Sequence, residues 1–171
     1  MNRGSLLAAS DDLEAHFKDA MAALAGGVCV VTTTGPDGVP YGFAATSVTS
    51  VSLDPPMMLV CQAKSSRSYE LFAGAGPVAV NMLAAGQRPV AERFAAPVDD
   101  KFTDAGFEYA DGLAPVLPGA LASVQCRRVR TIDAGDHSVL LLHVRAVRTA
   151  PGEPLIYHGR RYERLELTHR G

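Results

Sequence analysis

Three short stretches of this chain combine residue types that suit ligand chemistry. Gly42-Phe43-Ala44-Ala45-Thr46-Ser47, continuing to Thr49-Ser50, sets small side chains beside hydroxyls. Small residues let a flat ligand approach the backbone, where free amides and hydroxyls can bond its polar edge. The same pattern also reads as a strand whose hydroxyls pair across a sheet. Lys64-Ser65-Ser66-Arg67 places two cations and two hydroxyls where a helix would begin. Free amides, the positive end of a helix dipole and two cations suit a phosphate. An ordinary N-cap with solvated charges is the plainer reading. Gly135-Asp136-His137 puts an imidazole at a turn that enters an apolar strand. It can stack on an aromatic ligand or titrate near neutral pH, or it can be one part of a polar turn. None of the three is specific alone.

The standard alternatives are missing. No Gly-x-Gly-x-x-Gly opens a helix after a strand, and there is no Gly-x-Ser-x-Gly and no Walker loop. The 5 histidines are scattered, and Cys29, Cys61 and Cys126 form no pair at zinc spacing, so no metal site is expected. The cysteines read as small buried hydrophobes in a reducing compartment. A formal net charge of -2 with acids and bases interspersed argues against a nucleic-acid partner. No apolar run reaches the roughly 18 residues a membrane span needs. The first ten residues are too weakly patterned for a signal peptide. A cytoplasmic protein is expected, folded as one domain over 1–171 with residues 1–10 flexible.

Elements that could position these residues follow from periodicity. Asp11 and Asp12 can cap a helix with Leu13, Phe17, Met21 and Leu24 on one face, stopped at Gly26-Gly27. Val28 to Thr34 is a strand, Gly35-Pro36-Asp37-Gly38 a turn, and Pro40 to about Leu53 stays extended, completing a hairpin. Asp54-Pro55-Pro56 breaks the pattern before a short apolar strand, Met57 to Gln62. A helix runs from Ser65-Ser66 to Gly74, and a strand from Val78 to Leu83. Pro89 suits the first turn of another helix, with Val90 and Phe94 on one face. Residues 95–118 show no period and read as a long loop wrapping the body. Long strands follow at Ala120 to Ile132 and across Leu140, Leu142, Val144 and Ala146. A short strand at Leu155 to Tyr157 and a hairpin around Gly159 end the fold. About seven strands and three short helices, joined mostly by short turns, give a mainly β, antiparallel protein. A closed or partly closed barrel would solve its edge problem.

Taken in order, these segments resemble the short-chain flavin reductases that serve two-component flavin-diffusible monooxygenases. The resemblance covers roughly Phe17 to Leu165. It is carried by Gly27-Val28-Cys29-Val30-Val31-Thr32-Thr33 and by Pro40-Tyr41-Gly42-Phe43-Ala44-Ala45-Thr46-Ser47-Val48-Thr49-Ser50-Val51-Ser52. Leu53-Asp54-Pro55-Pro56, Lys64-Ser65-Ser66-Arg67, Val78-Ala79-Val80-Asn81, Ala91-Glu92-Arg93-Phe94-Ala95, Asp100-Lys101-Phe102 and Ala134-Gly135-Asp136-His137 continue it. Eight segments in register form a specific pattern.

The resemblance implies an antiparallel split β-barrel with Greek-key topology, usually a homodimer, with flavin near the dimer interface. It implies hydride transfer from NADH or NADPH to FMN or FAD, and supply of reduced flavin to a partner monooxygenase. By position, Phe43, Ala44, Ala45, Thr46 and Ser47 would meet the ring, with backbone bonds from Cys61, Gln62 and Ala63. Ser66 and Arg67 would meet the ribityl phosphate, helped by Arg93, Phe94 and Lys101. Asn81 and Phe102 would belong to the cofactor site, and Tyr157 would line the same pocket. His137 would lie over the nicotinamide as the catalytic residue. The rival reading is a non-enzymatic flavin-binding or electron-carrier protein on the same barrel. Its signature would be tight flavin and no nicotinamide pocket.

Overall fold

The computed structural model describes residues 12–74 and 76–165. Asp11 and the ten residues before it, including the expected flexible segment, lie outside the described residues. Ten strands and three α-helices are present among those described, in two antiparallel sheets. In chain order they are α1 (Leu13–Ala22), β1 (Gly26–Gly27), β2 (Cys29–Thr34), β3 (Pro40–Ala45), β4 (Val48–Leu53) and β5 (Pro56–Ala63). Next come α2 (Tyr69–Ala73), β6 (Pro77–Met82), a 3-10 turn (Ala85–Gln87), α3 (Arg88–Ala95), β7 (Ala122–Ala134), β8 (His137–Thr149), β9 (Leu155–His158) and β10 (Arg161–Arg164).

The larger sheet runs β3-β2-β6-β7-β8-β5-β4 and the smaller β1-β9-β10. In the larger sheet, β3 and β4 are the two outer strands, yet only Thr46 and Ser47 separate them in the chain. Three residue steps span at most about 10 Å. The sheet must therefore curl until its edges approach each other. No ladder joins β3 to β4 among the described residues; the Cys61 N–H, which donates to the Ser47 carbonyl at 3.1 Å, extends the β4–β5 ladder to the connecting residues.

Period-two alternation decides which side chains fill the curled sheet. On β5, Met58, Val60 and Gln62 point inward while Met57, Leu59, Cys61 and Ala63 stay half-buried. Val31, Phe43, Val60, Phe72, Val80 and Leu142 form part of the interior cluster. A second cluster lies on the other face of β2. There Val28 and Val30 pack against Phe94 of α3, Phe107 and Leu117 of the loop, and Leu155 of β9. The aperiodic stretch after α3 thus covers a sheet face that would otherwise meet water.

Several sequence expectations shift. The long extended segment from Pro40 to Leu53 is not one strand but two, on opposite edges of the sheet. No helix begins at Ser65-Ser66: α2 is only five residues long and starts after Ser68, which makes no side-chain cap bond. Residues 65–68 form turns instead, closed by the Ser66 N–H to the Ala63 carbonyl at 3.0 Å and the Tyr69 N–H to the Ser66 carbonyl at 3.0 Å. The expected face of α1 exists but is uncovered, with Phe17 62% and Leu24, just beyond its end, 65% exposed.

Gly42 is where α3 meets β3. A Cβ there would lie 2.6 Å from Phe94 Cε1 and 2.9 Å from the Val31 carbonyl oxygen. Gly42→Ala must therefore displace the buried Phe94 ring and shift β3 against the β2 backbone. We expect a loss of about 1–3 kcal/mol, the usual cost of overpacking, measured by denaturant unfolding. A variant as stable as the parent would show that α3 does not pack tightly on β3.

Candidate functional site

The curl leaves β3 as an edge strand, and an edge strand carries a row of backbone N–H and C=O groups without a strand partner. Every residue from Pro40 to Ser47 lines a cleft of about 640 Å³. Its far wall is the end of β5, through Cys61 and Ala63, and the turn Ser65–Ser68. Phe94, the segment from Ala95 to Asp99, Lys101 and Phe102 also line it, as does His137, which pairs with Ala63 across β5 and β8. Gly42, Ala44 and Ala45 keep the floor flat, since none has a side chain beyond Cβ.

Of the residues singled out from sequence, Phe43, Ala44, Ala45, Thr46, Ser47, Cys61, Ala63, Ser66, Arg67, Phe94, Lys101, Phe102 and His137 come together here. Gln62, Asn81, Arg93 and Tyr157 are not among the lining residues. Strand alternation turns the Gln62 side chain into the interior, where it is 1% exposed and its Oε1 has no partner. Asn81 is fully buried: its Nδ2 donates to the Val30 carbonyl at 3.2 Å, and its Oδ1 accepts from the Leu117 N–H at 3.0 Å and Ser123 Oγ at 2.9 Å. It ties three segments together. Arg93 donates to the Thr103 carbonyl at 2.7 Å on the exposed side of α3. Tyr157 sits in the smaller sheet against Tyr162, with ring centroids 5.3 Å apart. The Cys61 N–H, expected to bond a ligand, is already given to Ser47.

The polar groups of the cleft form two sets. The Arg67 guanidinium pairs with the Asp99 carboxylate through Nη1 and donates to the Pro97 carbonyl through Nη2 at 3.0 Å. Lys101 Nζ donates to the Phe94 carbonyl at 2.8 Å. Burial, and then the charge of Arg67, push the Lys101 ammonium below its ordinary range. Two cations in mutual repulsion are an anion-ready arrangement. Lys64 does not join them: it pairs with Asp133 and donates to the Gly135 carbonyl at 2.7 Å, bracing the β7–β8 turn. At that turn His137 Nδ1 lies 2.8 Å from Asp136 Oδ1. The bond to His137 holds the Asp136 carboxyl below the usual carboxylate range. A carboxylate acceptor fixes the proton on Nδ1 and leaves Nε2 for a ligand.

Sequence reasoning missed the wall from Ala95 to Asp99, because a segment without period carries no directional signal. A second groove of about 410 Å³ includes Val48, Leu53, Met57, Val124, Val144 and Val147 in its lining and has no charged residue. It offers nothing to a nucleotide.

An edge-strand backbone floor lined by two cations and an imidazole defines a class: antiparallel β proteins with an open sheet edge suited to a flat, anionic ligand. The pattern of the Flavin reductase like domain family matches residues 21–166, and the chain belongs to that family. It is 41% identical over 152 residues to a flavin reductase (NADH) of Kitasatospora aureofaciens, covering 86% of this chain and 80% of that one. It is also 41% identical over 126 residues to the reductase component of a flavin-dependent trigonelline monooxygenase of Acinetobacter baylyi, covering 74% of this chain and 41% of that one. The chain spans less than half the length of that relative and of another, 42% of which it covers. Among solved structures, an NADH:FAD oxidoreductase of Streptomyces globisporus, in complex with NAD and FAD fragments, superposes with a TM-score of 0.87. The two are 29% identical over 96% of this chain and 99% of that one.

Of the three cysteines, only Cys61 lines the cleft. Cys29 and Cys126 are buried, and burial pushes both thiols up to about 12. Brief alkylation of the native protein at pH 8, read by peptide mass mapping, should label Cys61 first and leave the other two free until unfolding. Label at Cys29 or Cys126 would contradict the packing described.

Proposed function

We propose that this chain is an NADH-dependent flavin reductase that passes hydride to FMN or FAD and supplies the reduced flavin to a partner monooxygenase. The observation that carries the reading is one cleft lined by an unpaired strand edge, by the cations Arg67 and Lys101, and by His137. The small residues of β3 fit a flat ring, and Arg67 with Lys101 fits a phosphate. Flavin, when bound, supplies the redox chemistry by accepting hydride at N5.

The chain's part is geometry and electrostatics. Hydride transfer needs the donor carbon about 3–3.5 Å from its acceptor with the rings stacked, and no protein acid or base. Phe43 to Ser47 offer the ring backbone and hydroxyl contacts. On β5 alternate N–H groups face opposite neighbours; Cys61's is turned toward Ser47, so Ala63's faces the same side, beyond the end of β4. Ser66, Arg67 and Lys101 take the phosphate. His137, held by Asp136, orients the nicotinamide. A cleft built mainly from backbone grips weakly, which suits a flavin that must leave after reduction. The monooxygenase relative supports the recipient.

The approach of β3 to β4 without a ladder supports a split barrel with Greek-key topology, and residues 17–165 act as one domain. The uncovered face of α1 supports a homodimer. A cytoplasmic setting suits the free thiols.

The test is NADH oxidation followed with and without added FMN or FAD. Turnover should require added flavin, and protein that binds flavin without oxidising NADH or NADPH would favour the carrier reading. His137→Ala should raise the NADH KM about tenfold or more while flavin Kd changes little. Arg67→Ala should weaken FMN about tenfold, in line with the ~1.5–3 kcal/mol of a charge-assisted contact, and riboflavin hardly at all. Equal losses for FMN and riboflavin would remove Arg67 from the phosphate.

A further inference from the structure

The cationic end of the cleft is not idle. Arg67 is held by Asp99 and by the Pro97 carbonyl, both from the segment that follows α3. These partners belong to the wall, not to the turn that carries Arg67, so the contact straps the 97–99 segment across the cleft mouth. Nothing else fixes Asp99: its side chain is 96% exposed, and its only polar partner among the described residues is Arg67. Asp100, by contrast, is engaged locally, accepting the Phe102 and Thr103 N–H groups at 3.0 Å each. Lys101 lines the same cleft, and among the described residues no carboxylate pairs with it.

An anionic ligand at Arg67 therefore meets a carboxylate already in place. We propose that Asp99 is a built-in competitor for the flavin phosphate, occupying Arg67 when the cleft is empty and lowering the affinity for phosphorylated flavin. The inference rests on the flavin reading above and adds a specificity-determining residue to it. Binding exchanges one Arg67 contact for another, so only the surplus over the Asp99 pair shows as affinity. The returning carboxylate then helps the reduced flavin leave. Because the pair is exposed, the effect is a tuning of affinity and not a block.

The experiment measures Kd for FMN and for riboflavin by fluorescence quenching, on the unmodified protein, Asp99→Asn and Asp99→Glu, at low and at 0.5 M salt. Asp99→Asn should tighten FMN by about two- to fivefold, the range an exposed ion pair allows, leave riboflavin within error, and lose this difference at high salt. Asp99→Glu should keep the parent's ratio of FMN to riboflavin affinity. Asp99→Asn that weakens FMN, leaves it unchanged, or tightens both flavins equally overturns the proposal. So does a change confined to the NADH KM, which would place the freed Arg67 on the nicotinamide nucleotide. Unmodified protein that binds neither flavin overturns the flavin reading itself, a result separable from any behaviour of Asp99.

Discussion

Thr46 and Ser47 connect strands that stand at opposite edges of a seven-stranded sheet. A two-residue link cannot cross a flat sheet of that width, since neighbouring strands lie about 4.8 Å apart. The sheet has to curl, and most of the rest follows. The curl encloses the interior cluster of Val31, Val60, Val80 and Leu142. The bond from the Cys61 N–H to the Ser47 carbonyl extends the β4–β5 ladder up to the link itself. Because β3 and β4 do not pair, the backbone of β3 stays open along its outer edge. The feature that would be a liability in another protein becomes the floor of the cleft.

Around that floor the charges are placed with economy. Arg67 and Lys101 reach the cleft from different segments, and His137 reaches it from the β7–β8 turn. The loop after α3 serves two purposes. Phe107 and Leu117 complete the second apolar cluster, while Pro97 and Asp99 hold Arg67 at the mouth. Stability and ligand access are thus coupled through one covalent segment, anchored at Phe94 and strapped at Asp99.

Much of this was legible in the sequence, for reasons that differ by element. β2, β6, β7 and β8 carry long β-branched or alternating runs, and Gly35-Pro36-Asp37-Gly38 marks its turn by composition. The family pattern added the assembly of distant segments into one site, which no local period reports. What was hidden depends on tertiary context. The break at Thr46-Ser47 has no glycine or proline, so the chain reads as continuous. The helix expected at Ser65 gives way to turns because the N–H groups of Ser66 and Tyr69 find carbonyls three residues back. Asn81 looks like a ligand-binding polar residue but is turned inward by strand alternation, as is the side chain of Gln62, whose expected contact was through its backbone. Asp99 sits in a stretch whose only rule is the surface it covers.

The account stands or falls on where flavin sits. The most direct measurement is a titration of the isotope-labelled protein with FMN, followed through backbone amide chemical shifts. The account predicts the largest changes at residues 43–47, 63–67 and 99–102, with residues 50–58 and 144–147 of the apolar groove undisturbed. Changes concentrated in that groove, or none at FMN concentrations that support turnover, would contradict it.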